Sequence, residues 1–151
     1  MSEWPNYYMG FAHHAATKAK HTTKVGAVLV GLDGEIRLTG YNGVPRYVKD
    51  TPERISGPDR HMWHSHAEQN IIAFAAREGI KTRSCALFVT HMPCSSCARS
   101  IIQAGICEVW YDNGTTTMPS EDFEIARQMF TEAGVDLIDI NSPEDIYDEE
   151  D

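Results

Sequence analysis

Two short segments of the chain carry residues whose types and spacing can do metal chemistry: His66-Ala67-Glu68 and Pro93-Cys94-Ser95-Ser96-Cys97. Cys94 and Cys97 are three apart, so in the first turn of a helix both sulfurs point to one side. His66 falls in the first turn of the preceding predicted helix. A helix start presents unpaired N–H groups and a positive dipole end, which favour thiolate over thiol. With the two helices side by side on a sheet, their starts meet and three zinc-type ligands converge. Three protein ligands leave one tetrahedral position for water, the pattern of a catalytic rather than a structural zinc. Glu68, two residues beyond the histidine, reaches such a water without being a ligand, takes its proton and delivers it elsewhere.

The same residues admit other chemistries. A C-x-x-C in a reducing compartment also serves as a redox pair, and a single histidine is most often a satisfied side chain. A structural zinc needs a fourth ligand, which Cys85 or Cys107 could supply, although each opens a predicted strand, where a lone cysteine is ordinarily a small buried hydrophobe. Four cysteines in 151 residues do not make a disulfide scaffold. A catalytic zinc is favoured by conjunction. H-x-E and then P-C-x-x-C, each at a helix start, is the signature of hydrolytic removal of an amine from a nucleobase.

The elements that must hold these residues follow from periodicity and caps. Ser65–Glu78, Cys94–Ala104 and Pro119–Ala133 each run up to a glycine, the common left-handed cap, and read as helices. In the third, Phe123, Ala126, Met129, Phe130 and Ala133 share a face. Each glycine leads into a strand-like run: Ala86–Thr90, Ile106–Tyr111 and Val135–Ile140. This alternation predicts an α/β layer with a partly parallel sheet. Upstream, Val25–Val30 and Ile36–Tyr41 flank Asp33-Gly34, a hairpin signal. A helix from Trp4 to about Lys20 carries Tyr8, Ala12, Ala15 and Ala19 along one stripe. Val44–His64, with Pro45, Pro52, Gly57 and Pro58, fits no element, and a stretch of about 20 such residues in a compact domain is often functional.

The length suits one domain with a filled core. Apolar residues at 42% and charged residues at 23% exclude a disordered or collagen-like chain. No apolar run approaches the roughly 18 residues of a membrane span, and Met1–Gly10 lacks the basic-then-apolar order of a signal peptide. The expectation is a cytoplasmic protein (the host cytoplasm if phage-encoded) with no membrane partner. The formal charge is −9, and six of the 22 acidic residues fall in Glu144–Asp151, which reads as a solvated end. The 13 basic residues against the other 16 acidic ones leave the body at −3. That is a poor platform for a polynucleotide, whose affinity comes largely from phosphates meeting Lys and Arg. A small anionic substrate needs only a local basic pocket.

With these motifs in place, the chain resembles the cytidine deaminase-like superfamily and, within it, the deoxycytidylate (dCMP) deaminases of the bacterial and phage subtype. The resemblance runs from about Lys24 to Ile140. It rests on Lys24-Val25-Gly26-Ala27, Gly40-Tyr41-Asn42-Gly43, the two zinc motifs and Ile101-Ile102-Gln103-Ala104-Gly105-Ile106, with Val44-Pro45-Arg46 after the quartet marking the subtype. It implies a three-layer α/β/α fold whose central mixed five-stranded sheet carries helices on both faces. A deaminase domain would span 1–143 and an acidic tail 144–151. The resemblance also implies one catalytic Zn2+ on His66, Cys94 and Cys97, with attack of activated water at C4 of the cytosine. Glu68 would protonate N3 and then assist the departure of ammonia, turning dCMP into dUMP on the way to dTTP. A homohexamer is implied as well, activated by dCTP with Mg2+ and inhibited by dTTP at Gly40, Tyr41, Asn42 and Gly43. The loop before H-x-E holds no cysteine, only His61 and His64, so no second, structural zinc is expected.

For the substrate, the resemblance implies that Asn42 hydrogen-bonds the sugar, although Asn-Gly suits a tight turn equally well. Backbone groups near Ala67 and the bend His91–Pro93 would hold the base edge. Cations for the phosphate are available at Lys24, Arg46, Lys49, Arg54 and Arg60, with His61 and His64, and the expectation falls on Arg46 and Lys24, a planar Arg fork suiting a phosphate dianion. Acids in the same loop would instead make it a solvated, salt-bridged surface. Glu53 either accepts from the sugar 3′-hydroxyl or neutralises Arg54. The rivals are a deaminase of free cytidine or deoxycytidine, of tRNA adenosine, or of a modified dCMP, and a silent nucleotide sensor that kept zinc as a staple. The negative body weighs against tRNA, and the intact Glu68 against the sensor.

Overall fold

In chain order the elements are α1 (Trp4–Ala16), β1 (Gly26–Val30), β2 (Ile36–Tyr41), α2 (Pro52–Ser56), α3 (Arg60–Trp63), α4 (Ala67–Glu78), β3 (Ala86–His91), α5 (Ser95–Gln103), β4 (Glu108–Gly114), α6 (Ser120–Ala133) and β5 (Asp136–Asp139). The structure, a computed structural model, describes residues 3–143. The acidic segment 144–151 lies outside them.

The turn at Asp33-Gly34 closes the expected hairpin of β1 and β2, with Gly26 opposite Tyr41. β3 pairs antiparallel with β1, while β4 and β5 add in parallel, giving the order β2-β1-β3-β4-β5. This is the mixed five-stranded sheet that the resemblance implies. Alternation along the strands sorts the layers. Val28, Val30 and Phe88 pack with Tyr8, Met9 and Ala12 of α1. Ala27, Leu29, Leu87 and Val89 pack with Ile71 of α4, Ile101 of α5 and Phe130 of α6. Strand β1 is therefore buried at every position, as a central strand covered on both faces must be. Complete burial of a side chain such as Leu29 or Phe130 stabilises by about 1.5–3 kcal/mol. The glycines at 79, 105 and 134 are left-handed, as the predicted helix stops require. No helix among the described residues is long and apolar enough to cross a membrane.

Three expectations change. The stripe of α1 runs on to the buried Ala19, but the helix ends at Ala16, where the Thr17 hydroxyl turns back to donate to the His14 carbonyl at 2.6 Å. On α6, Phe123, Ala126, Met129 and Phe130 face the core, whereas Ala133 at the end is exposed. Val44–His64 holds the two short helices α2 and α3, of which the first starts at Pro52, whose fixed φ suits a first helical turn. Neither buries a residue. They are held by the Arg54 guanidinium lying 3.9 Å over the Trp63 ring and by Trp63 Nε1 donating to Asp59 at 3.2 Å.

Candidate active site

The site is assembled where the end of β2 meets the start of α4. Gly43 and Ser65 form an isolated antiparallel bridge, with N–H to carbonyl distances of 3.0 and 2.8 Å. His66 follows as the N-cap of α4, its N–H donating to Gln69 Oε1 at 2.9 Å. Cys94 is the N-cap of α5, and Cys97 lies one turn on. Gln69 Nε2 reaches Ser96 Oγ at 3.4 Å and ties the two helix starts together. From α6, the Asp122 carboxylate accepts the Ser95 N–H at 2.8 Å and its hydroxyl at 2.7 Å.

These restraints leave His66 Nδ1 3.2 Å from Cys97 Sγ and 3.5 Å from Cys94 Sγ. Two ligands on one tetrahedral zinc, at ordinary Zn–N and Zn–S lengths, lie about 3.6 Å apart. The donor set therefore fits zinc in both type and spacing. No other three such side chains among the described residues are so arranged. Cys85 and Cys107 do not join them: the Cys85 thiol points to the Lys81 carbonyl and that of Cys107 to the Cys85 carbonyl. A fourth protein ligand from these cysteines is thus ruled out.

The two thiols share their protons unequally. The hydrogen bond from Cys97, aided by His66, brings Cys94 down to about 4, while the thiolate of Cys94 and burial hold Cys97 protonated, far above the ordinary thiol range. The Cys94 hydrogen bond raises the pKa of His66. A bound metal takes both sulfurs as thiolates and the imidazole as neutral, so binding releases protons. Glu68, buried beside the ligands, is raised to about 7, chiefly by desolvation. A carboxyl so placed can both take and return a proton near neutral pH.

A cavity of about 760 Å³ opens onto His66, Glu68 and Cys94, with Asn42 and His91 also in its wall. Its size and the few convergent polar groups are those of a small-ligand site.

Residues 2–113 match the family model for the cytidine and deoxycytidylate deaminase zinc-binding region. The chain belongs to this family. It is 34% identical over 140 residues to the deoxycytidylate deaminase of Mus musculus, covering 88% of this chain and 77% of that one. It is 33% identical over 141 residues to an uncharacterized deaminase in the luxG 3′ region of Aliivibrio fischeri, covering 91% and 93%. The dCMP deaminase of cyanophage S-TIM5, solved in complex with dCMP and dUMP, aligns with a TM-score of 0.76 at 26% identity over 93% of this chain and 98% of that one.

Within this deaminase the residues expected to meet substrate divide. Asn42 is buried in the cavity wall, with Oδ1 accepting from Val25 N at 3.0 Å and Nδ2 donating to the Thr23 carbonyl at 2.9 Å. One amide N–H and one lone pair remain for a ligand. His91 sits directly on Gly114, where a Cβ would come within 2.5 Å of its ring. Ala67 and Pro93 are buried beside the metal ligands. Lys24, Arg46 and Glu53 are exposed and do not line the cavity, and Arg46 lies 5.3 Å over the Phe74 ring instead. In the quartet, a Cβ on Gly40 would meet Ile71 of α4 at 2.6 Å, and the Tyr41 carbonyl accepts from Asn70 at 2.8 Å. Together with the Gly43 bridge, the quartet locks β2 to the helix that carries His66.

Sequence reasoning missed His21, Thr22 and Thr23, which line the cavity, as do Thr116–Pro119 and Phe123. A signal was available for the first group. In an antiparallel hairpin, the residues leading into β1 emerge at the same end as those leaving β2, beside Asn42 and Gly43.

Proposed function

We propose that the protein is a cytoplasmic, zinc-dependent hydrolase that converts dCMP to dUMP and ammonia, with residues 1–143 as its deaminase domain. The observation that carries this is Glu68, buried beside a three-ligand zinc site that opens onto a nucleotide-sized cavity. Zinc on His66, Cys94 and Cys97 supplies Lewis acidity that lowers the pKa of water toward neutrality. Glu68 carries the protons: its carboxylate takes one from the attacking water and gives it to N3 of the cytosine, then takes a second from the new C4 hydroxyl and gives it to the amine, which leaves as ammonia while the C4 carbonyl forms. The free amide groups of Asn42 serve a sugar hydroxyl, and the walls at Ala67 and His91–Pro93 hold the base edge. The substrate is supported by kinship to the mouse deoxycytidylate deaminase and by the likeness to the cyanophage enzyme solved with dCMP and dUMP.

An ultraviolet deamination assay on zinc-replete protein tests this. Rapid loss of dCMP with slow loss of deoxycytidine is expected, and equal or preferred turnover of deoxycytidine would give the site to a nucleoside deaminase. We further propose, on the sequence resemblance alone, a homohexamer with dCTP and Mg2+ activating, and dTTP inhibiting, at Gly40–Gly43. Adding Mg-dCTP to that assay raises the rate if the regulation is present.

A further inference from the structure

Part of the cavity wall carries chemistry that the zinc end does not use. Five of the chain's seven histidines line this cavity. Three of them form a cluster: ring centroids lie 4.4 Å apart for His21 and His64 and 5.7 Å apart for His61 and His64. His64 in turn lies 5.8 Å from His66, so a continuous line of rings leads away from the metal ligand. Among the described residues, Arg60 is the one lining residue with a permanent positive charge, and Glu68, at the zinc end, is the one lining carboxylate.

His21 is the least explained member. It is 6% exposed, and neither ring nitrogen has a hydrogen-bond partner. A buried polar group left unpaired is costly and in a native protein calls for a reason. Burial, followed by the positive fields of His64, His61 and Arg60, keeps its imidazole below the ordinary range. An acceptor bearing negative charge would satisfy the missing bond and answer the fixed charge of Arg60 in the same wall.

Three of the nearby cations are already engaged. Arg54 lies over Trp63 and donates to the Lys49 carbonyl at 3.0 Å, Arg46 lies over Phe74, and Lys20 pairs with Asp50 at 2.6 Å. Arg60 gives one N–H to the Gly57 carbonyl at 3.2 Å, which leaves most of its fork for a ligand. His64 Nδ1 faces the Arg60 carbonyl at 2.9 Å, so its other nitrogen is the one available.

We propose that His21, His61, His64 and Arg60 form the subsite for the substrate's 5′-phosphate, and that this cluster, rather than Arg46 or Lys24, selects a nucleotide over a nucleoside. The inference rests on cytosine deamination at the zinc end. With the base there, the phosphate is the far end of the ligand, and the ring line from His66 through His64 gives its direction. Arg60 supplies fixed charge and His61 and His64 supply N–H donors. His21, covered by the His64 ring, gains its partner as that ring turns toward the anion.

The test measures kcat/KM for dCMP and for deoxycytidine on zinc-loaded wild type, R60Q and H21F; the last keeps a ring at the buried position without its nitrogens. The preference for dCMP should fall about 10- to 100-fold in each variant, through KM, as expected for loss of a charge-assisted hydrogen bond. Thermal unfolding checks that both variants are folded, and R60Q alters only an exposed side chain. Wild-type preference retained in R60Q and H21F, with the loss found in K24Q or R46Q, would overturn the assignment. A wild type inert on dCMP defeats the deaminase reading instead. Calorimetric titration with dUMP and deoxyuridine then reads the subsite without turnover: tighter dUMP binding that is lost in R60Q upholds it, and equal affinity overturns it.

Discussion

The two ends of the cavity are built by different means. At the metal end, each group sits in the first turn of a helix packed on the sheet, and the starts of α4, α5 and α6 are cross-tied through Gln69–Ser96 and Asp122–Ser95. At the histidine end, the groups sit on the loop before β1 and on a segment whose helices bury nothing. There the joints are an Arg–Trp stack and the Lys20–Asp50 pair. An exposed ion pair such as Lys20–Asp50 is screened by solvent and holds little. The chemistry is thus positioned by regular structure and recognition by irregular chain. Substitutions at the first end should therefore remove metal or rate, and those at the second should remove selectivity.

The largest effect is expected from C97S, which exchanges a buried thiolate ligand for a hydroxyl. Zinc per chain, measured by atomic emission, should fall from about one toward zero, and deamination should drop to the assay background. Retention of zinc by this variant would mean that the converged triad is not the metal site. E68Q separates metal from proton transfer. It should keep its zinc while kcat falls about 10²–10⁴-fold, the usual contribution of a general acid–base. Wild-type turnover by E68Q would remove Glu68 from the mechanism.

A smaller effect is expected from G114A. The added methyl would overlap the His91 ring, which must move within the cavity. Misplacing a group that bounds the base should lower kcat/KM by about tenfold for dCMP and deoxycytidine alike. A change confined to dCMP would instead place His91 with the phosphate-reading end.

What the sequence made legible follows the same division. The hairpin, the glycine-stopped helices and the two zinc motifs are local: each is decided by a turn, a cap or a three-residue spacing, and each stands where expected. His21 was not legible, because only the antiparallel register of β1 and β2 brings it beside Asn42. Arg46 lies three residues beyond the quartet, yet its side chain settles over Phe74, a tertiary contact that spacing does not announce. Helices as short as α2 and α3 offer too few positions for a 3.6-residue period to show. The apolar stripe of α1 continues past Ala16 to Ala19, so periodicity alone did not mark the point where the chain tightens into i−3 bonds at Thr17 to Ala19.

The smallest effect, and the sharpest test of independence between the two ends, is expected from D122N. Asp122 clamps the start of α5, and its carboxyl is held below the ordinary range, first by the Ser95 hydroxyl and then by the Ser95 N–H. With the folded-state pKa below the unfolded one, its contribution is fully present above the unfolded value of about 4 and is lost as pH falls through the folded value. At pH 7 the amide keeps one acceptor and loses the charge, so D122N should be less stable by about 1–2 kcal/mol. Denaturant midpoints should show that gap closing at pH below about 4, where the wild-type carboxyl protonates too. Because α5 carries Cys94 and Cys97, loosening its start should also weaken zinc binding, by about tenfold for an outer-shell partner. The preference for dCMP over deoxycytidine should stay at its wild-type value. If preference falls along with zinc affinity, the two ends move as one body, and selectivity is set by the helix starts as much as by the histidine loop.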